Sequence, residues 1–127
     1  MQKERILIID DNEDVNMLFK IFLEYEGYKV DVYTDPIEAL YYFKKGLYDL
    51  ILLDLKMPKM DGILMFRGLK KIDEQVIICL TTANAQYIQQ LKEEIPNIDD
   101  TVITKPIILK DLKNKIDSLL ENKNNNK

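Results

Sequence analysis

Short apolar runs alternate with amphipathic stretches along the whole chain. The run Arg5-Ile6-Leu7-Ile8-Ile9 comes first, and Ile6–Asp10 reads as the first strand; from Asn12 to Glu26, Val15, Leu18, Phe19, Phe22 and Leu23 then recur at helical spacing. Gly27 closes that segment. Tyr28–Tyr33 alternates Tyr28, Val30 and Val32 with polar residues, the pattern of a partly exposed strand. Thr34 or Asp35 can cap the next helix, with Pro36 at its first position, and that helix is predicted to reach about Lys45, where Gly46 ends it. Tyr48–Leu53 is almost unbroken apolar sequence, as a central strand buried on both faces requires. Met57-Pro58-Lys59-Met60-Asp61-Gly62 reads as a loop, followed by a helix from about Ile63 to Lys71. Val76–Thr81 is the fourth strand and Ala85–Glu94 the fourth helix, broken by Pro96-Asn97. Thr101–Thr104 is the fifth strand, which Pro106 bars from continuing, and Leu109, Leu112, Ile116 and Leu119 mark a last helix.

Strict strand–helix alternation signals βαβ units around a parallel sheet. Right-handed crossovers then favour an α/β fold: a doubly wound, five-stranded parallel sheet of flavodoxin-like order 2-1-3-4-5 with five helices. A length of 127 residues suits one domain, expected over residues 1–121. Residues 122–127, part of the polar run Glu121–Lys127, are expected to be a disordered tail.

Composition narrows the function. The net charge of −4 argues against a nucleic-acid surface. With no histidine, hydrolase schemes that need imidazole are excluded, and one cysteine cannot build a zinc site. Cys79 lies in a β-branched run and reads as a buried structural thiol in a reducing compartment. The apolar runs are far shorter than the ~20 residues that span a bilayer, and Met-Gln-Lys-Glu-Arg lacks an apolar signal core. The expectation is a cytoplasmic protein with no membrane partner.

Chemistry-bearing residues stand where the strands stop. Asp10 and Asp11 follow the first, Asp54 the third, Thr82 the fourth and Lys105 the fifth. In a parallel α/β sheet these ends open onto one crevice. Three carboxylates there repel one another unless a cation joins them, and oxygen-only ligands select Mg²⁺ or Ca²⁺. Asp54, ending the most buried strand, is the best nucleophile toward phosphorus. Asp10 and Asp11 are better placed as metal ligands. Lys105 can receive the charge of an aspartyl phosphate, and Thr82 can donate a hydrogen bond to it.

These residues carry a resemblance to the response-regulator receiver domain over about residues 4–121. The matching motifs are Ile8-Ile9-Asp10-Asp11-Asn12, Leu53-Asp54-Leu55-Lys56-Met57-Pro58-Lys59-Met60-Asp61-Gly62, Leu80-Thr81-Thr82-Ala83 and Thr104-Lys105-Pro106. The resemblance implies that Asp54 is the phosphoacceptor. It implies Mg²⁺ held by Asp11, Asp54 and the backbone carbonyl of Lys56, with Asp10 assisting. Lys105 would pair with the phosphoryl group and Thr82 would be the switch hydroxyl, or Thr81 if the strand ends one residue earlier. The implied phosphodonor is a sensor histidine kinase or a histidine phosphotransfer protein, and the implied role is a signalling module rather than a turnover enzyme. Many receivers carry an aromatic residue three positions before the lysine; here that position is Val102, so an aromatic toggle is not expected.

Three rivals share parts of this pattern. A haloacid-dehalogenase-type phosphatase wants a second acid two residues after its nucleophile, where this chain has Lys56. Flavin binding would set a phosphate against two aspartates. A receiver-like interaction module that is never phosphorylated remains the principal alternative.

Overall fold

The computed structural model describes residues 3–95 and 98–125. Five parallel strands form the main sheet: β1 (Arg5–Ile9), β2 (Lys29–Tyr33), β3 (Leu50–Asp54), β6 (Ile77–Thr82) and β7 (Val102–Thr104). Two further strands, β4 (Lys56–Met57) and β5 (Met60–Asp61), pair antiparallel around Pro58-Lys59, in the segment expected to be only a loop. The main order is β2-β1-β3-β6-β7, which is the expected 2-1-3-4-5 once that small ladder is set aside. The helices are α1 (Glu13–Tyr25), α2 (Pro36–Tyr42), α3 (Gly62–Ile72), α4 (Ala85–Glu94) and α5 (Leu109–Asn125), with a 3₁₀ turn at Ile98–Thr101.

The sheet is buried on both sides, so alternate residues of one strand serve two cores. Leu7, Ile9, Ile51, Leu53, Ile78 and Leu80 pack with α3 and α4 residues such as Met65, Leu69 and Leu91. Ile6, Ile8, Leu50, Leu52 and Cys79 pack on the other face with Phe19, Leu23, Leu112 and Ile116 from α1 and α5. Cys79 is fully buried there, and burial pushes its thiol up to about 12, as an unreactive core thiol requires.

Helix starts follow the expected capping chemistry. Asn12, Asp35, Asp61 and Asn84 each accept two backbone N–H bonds at an N-terminus. Asp35 rather than Thr34 caps α2. That helix stops at Tyr42, earlier than expected, because Phe43 turns extended and stacks on Tyr48 within the core. Gly46 then reverses the chain at φ +79°. The last helix runs to Asn125, into the segment expected to be tail; residues 126 and 127 lie outside the described residues.

Two loop contacts hold the frame of the carboxyl edge and of its opposite. Gly62 sits so close to Leu55 that a Cβ would lie 2.7 Å from its carbonyl oxygen and 2.9 Å from its Cα. Both are backbone atoms next to Asp54, so they cannot give way cheaply. Gly62→Ala is expected to cost about 1–3 kcal/mol, measured by urea unfolding; an unchanged midpoint and slope would contradict the close approach.

At the other edge Asp73, 3% exposed, accepts from the amides of Gly46 and Gln75, each at 3.0 Å. Burial opposes its charge, but these N–H groups and the field of Lys123 hold its carboxyl below the ordinary value. A lowered folded pKa stabilises the fold above the unfolded carboxylate pKa of about 4, and the contribution disappears as pH falls through the folded value. Asp73→Asn should therefore cost about 1–3 kcal/mol at neutral pH. The gap to the unaltered protein should narrow in acid; a gap that is the same at every pH contradicts the assignment.

Candidate functional site

Register brings the strand-end residues together. Ile9 pairs with Leu53 on the neighbouring strand, so Asp10 and Asp54 are the next residues of adjacent parallel strands. Asp54 pairs with Thr81, and Thr82 with Thr104, the residue before Lys105. Carboxylate oxygens of Asp10, Asp11 and Asp54 lie within 4.8 Å of one another. Asp10 and Asp54 are buried and Asp11 is exposed.

Lys105 reaches across β6 into this cluster. Its ammonium lies 3.1 Å from Asp10 Oδ2 and 3.3 Å from Asp54 Oδ2. Its own amide donates to the Thr82 carbonyl at 2.8 Å, which anchors the loop that carries it. The second carboxylate oxygens are held by the backbone. Asp10 Oδ1 accepts from the Asn12 amide at 3.0 Å, and Asp54 Oδ1 from the Lys56 amide at 3.1 Å.

Burial raises the Asp54 carboxyl above the ordinary carboxylate range; the Lys56 amide and Lys105 oppose the rise, while Asp10 adds to it. Burial also works against the Lys105 charge, but the Asp54 and Asp10 carboxylates outweigh it and raise the ammonium further. Two buried like charges thus persist because one cation bridges them. The donor set is all oxygen, with one exposed carboxylate giving access, and it fits a hard divalent cation rather than zinc or copper.

Thr82 lies at the end of β6, and its Oγ1 accepts from the Asn84 amide at 3.1 Å. With Leu55, Lys56, Asn84 and Tyr87 it lines a crevice of about 170 Å³ beside the cluster. Thr81 lies directly beside Asp54 in register and is equally buried. The Lys56 side chain is exposed. The predicted residues Asp10, Asp11, Asp54, Lys56, Thr82 and Lys105 thus converge at one edge of the sheet.

Two neighbours escaped the sequence reading. Tyr87 of α4 lines the crevice with Thr82; its signal was only a tyrosine one turn into a helix. Asn16 is 2% exposed and bonded to the loop that carries Asp10. Its signal was a polar residue three before Phe19 and seven before Leu23, on the stripe that α1 buries. Leu18, counted on the apolar side from periodicity, is instead 52% exposed.

Comparisons with known proteins bear on the family and the fold. Residues 6–117 match the family model described as the response regulator receiver domain. Sporulation initiation phosphotransferase F of Bacillus subtilis is 37% identical over 95 residues, covering 73% of this chain and 77% of that protein. The uncharacterized transcriptional regulatory protein YkoG of Bacillus subtilis is 32% identical over 94% of this chain. The chain spans about half the length of that relative and of the other transcriptional regulators it first matches, 49–52%. A CheY-like receiver domain protein from Methanospirillum hungatei superposes with a TM-score of 0.89 at 27% identity, covering 99% of this chain and all of that one. The response regulator TrrA of Thermotoga maritima, solved in complex with Mg(2+)-BeF, gives 0.78 at 31% identity over 91% of this chain and 98% of its own.

Proposed function

This chain belongs to the response-regulator receiver family, and we propose that it is a phosphoacceptor signalling module that takes a phosphoryl group from a partner's phosphohistidine onto Asp54. The observation that carries this reading is the single ammonium of Lys105 bridging Asp10 and Asp54 at 3.1 and 3.3 Å, with Asp11 in the same cluster.

In the transfer an Asp54 carboxylate oxygen attacks phosphorus. The new O–P bond forms as the P–N bond to the donor imidazole breaks, and the imidazole leaves with that electron pair. The chain has no histidine and cannot itself supply the phosphohistidine, which a sensor histidine kinase or a histidine phosphotransfer protein would provide. Asp10, Asp11, Asp54 and the backbone carbonyl of Lys56 are the groups that would hold Mg²⁺. When bound, the cation offsets the carboxylate charge and the charge on the phosphoryl oxygens. Lys105 meets the added −1.5 to −2 charges with a cation already in place.

Thr82 supplies the switch hydroxyl. It shares the crevice with Lys56, whose amide is bonded to Asp54, and its Oγ1 accepts the Asn84 amide at the end of the strand; Thr81, beside Asp54 in register, is the alternative hydroxyl. Drawing Thr82 toward the phosphate would move the surface of α4, β7 and α5, a shift between two populations driven by one local charge event. The module hands on a signal and does not turn over a substrate; a cytoplasmic setting with no nucleic-acid or membrane contact suits its charge. No helix among the described residues is long and apolar enough to cross a membrane. The alternative, an interaction module that is never phosphorylated, gives no reason for the acceptor set to be assembled.

Incubation with radiolabelled acetyl phosphate tests the reading. Label is expected only with Mg²⁺ present and should be released by hydroxylamine, as an acyl phosphate is. No label with Mg²⁺ and donor present, or label indifferent to a chelator, overturns it.

A further inference from the structure

We propose that Asn16 is a positioning residue of the acidic site, acting through the backbone of Asp10. The inference rests on the reading of that site as a Mg²⁺-assisted phosphoacceptor. Asn16 lies in the second turn of α1, on the buried stripe it shares with Phe19 and Leu23. A leucine there would be the ordinary solution for a helix packed on a sheet. The asparagine instead donates from Nδ2 to the Asp10 carbonyl at 2.8 Å and to the Tyr33 carbonyl at 3.4 Å. The Tyr33 carbonyl also accepts the Asp10 amide at 3.2 Å. One side chain thus ties the loop after β1 to the end of β2.

The consequence falls on Asp10. Its N–H, its C=O and both carboxylate oxygens are all engaged, by Tyr33, Asn16, Asn12 and Lys105 respectively. Nothing else among the bonds of the described residues fixes the Asp10 carbonyl. Both acceptors of Asn16 are carbonyls, so the nitrogen must face them, which settles the amide orientation. Asn16 Oδ1 is buried with no donor among the described residues. An amide that leaves its own oxygen unpaired is a poor choice for stability alone. It is a sensible choice for holding an acidic loop whose members repel one another. Groups behind a ligand set that fix its orientation typically change metal affinity 10–100-fold when removed.

The test is a Mg²⁺ titration of the full chain followed by backbone amide shifts, with urea unfolding in parallel. Asn16→Leu conserves shape and removes the donor. It is expected to raise the Mg²⁺ dissociation constant about tenfold, with the largest spectral changes at Asp10 and Asp11. Ile116→Val, in the core on the same side of the sheet, serves as control: it should lower stability and leave the Mg²⁺ constant unchanged. Equal Mg²⁺ constants for Asn16→Leu and the unaltered protein overturn the inference. An unaltered protein that binds no Mg²⁺ overturns instead the reading on which it rests. Should Asn16→Leu fail to fold, the unaltered protein still decides. A scalar coupling across the hydrogen bond from Asn16 Nδ2 to the Asp10 carbonyl carbon, with the side-chain amide shifting along the same Mg²⁺ isotherm, supports the role. No coupling and no shift of that amide refute it.

Discussion

Asp54→Asn should bring phosphoryl labelling from acetyl phosphate down to background while the protein stays folded. A carboxamide is nearly the same shape as the carboxylate it replaces but is no nucleophile toward phosphorus. The fold should not suffer. Asp54 is buried beside Asp10, and its charge is disfavoured by that burial before Lys105 offsets it. Removing one of two adjacent buried anions eases their repulsion, so the variant should unfold in urea no earlier than the unaltered chain. Labelling and unfolding measured on the same preparation thus separate lost chemistry from lost structure. Asp10 and Asp11 remain present in the variant, and neither is expected to take the label, because their oxygens are placed to hold a cation. Undiminished labelling of Asp54→Asn would move the acceptor elsewhere.

Lys105→Ala has the second large effect, and it acts on both rate and stability. Its ammonium touches oxygens of two buried carboxylates and is 26% exposed. Breaking a fully buried pair costs about 3–5 kcal/mol, and the partial exposure of Lys105 brings the expectation to about 1–3 kcal/mol. Removing one preorganised group that meets developing charge typically slows a reaction about 10²–10³-fold, and a loss near the lower end is expected in the labelling rate. Mg²⁺ carries positive charge to the same oxygens, so it should raise the unfolding temperature of the variant more than that of the unaltered protein. Lys105→Arg should recover stability better than rate, since a planar fork does not reproduce a compact ammonium. A variant as fast as the unaltered chain would remove Lys105 from the mechanism.

Much of the fold was legible because burial writes itself into composition. β1 and β3 are buried on both faces and are almost wholly apolar, so their place at the sheet's centre could be read directly. With strand order known, parallel register did the rest: residues just past Ile9 and Leu53 had to be neighbours. Asp10, Asp11, Asp54 and Lys105 were therefore visible before any coordinates. Boundaries were harder where a local signal met a tertiary one. The α2 pattern suggested a helix to Lys45, but Phe43 leaves the helix for the core. The polar end of α5 looked unstructured, yet the helix continues through Asn125. Asn16 was invisible for a related reason. Helical periodicity counts apolar residues, and a buried asparagine with two carbonyl partners registers only as a gap in the stripe. Leu18 was the mirror case, apolar in sequence and half exposed in the fold. The choice between Thr81 and Thr82 was not legible, because they are adjacent at one strand end and take opposite faces: Thr81 stands beside Asp54 in register and Thr82 lines the crevice with Lys56.

Borohydride trapping tests the central claim most directly. The protein is phosphorylated with Mg²⁺ and acetyl phosphate, reduced with borohydride and digested, and the peptides are sequenced by mass spectrometry. Reduction of an aspartyl phosphate leaves homoserine, and the account predicts homoserine at position 54 alone. Homoserine at position 10 or 11, or none anywhere in a sample that carried hydroxylamine-labile label, would contradict it.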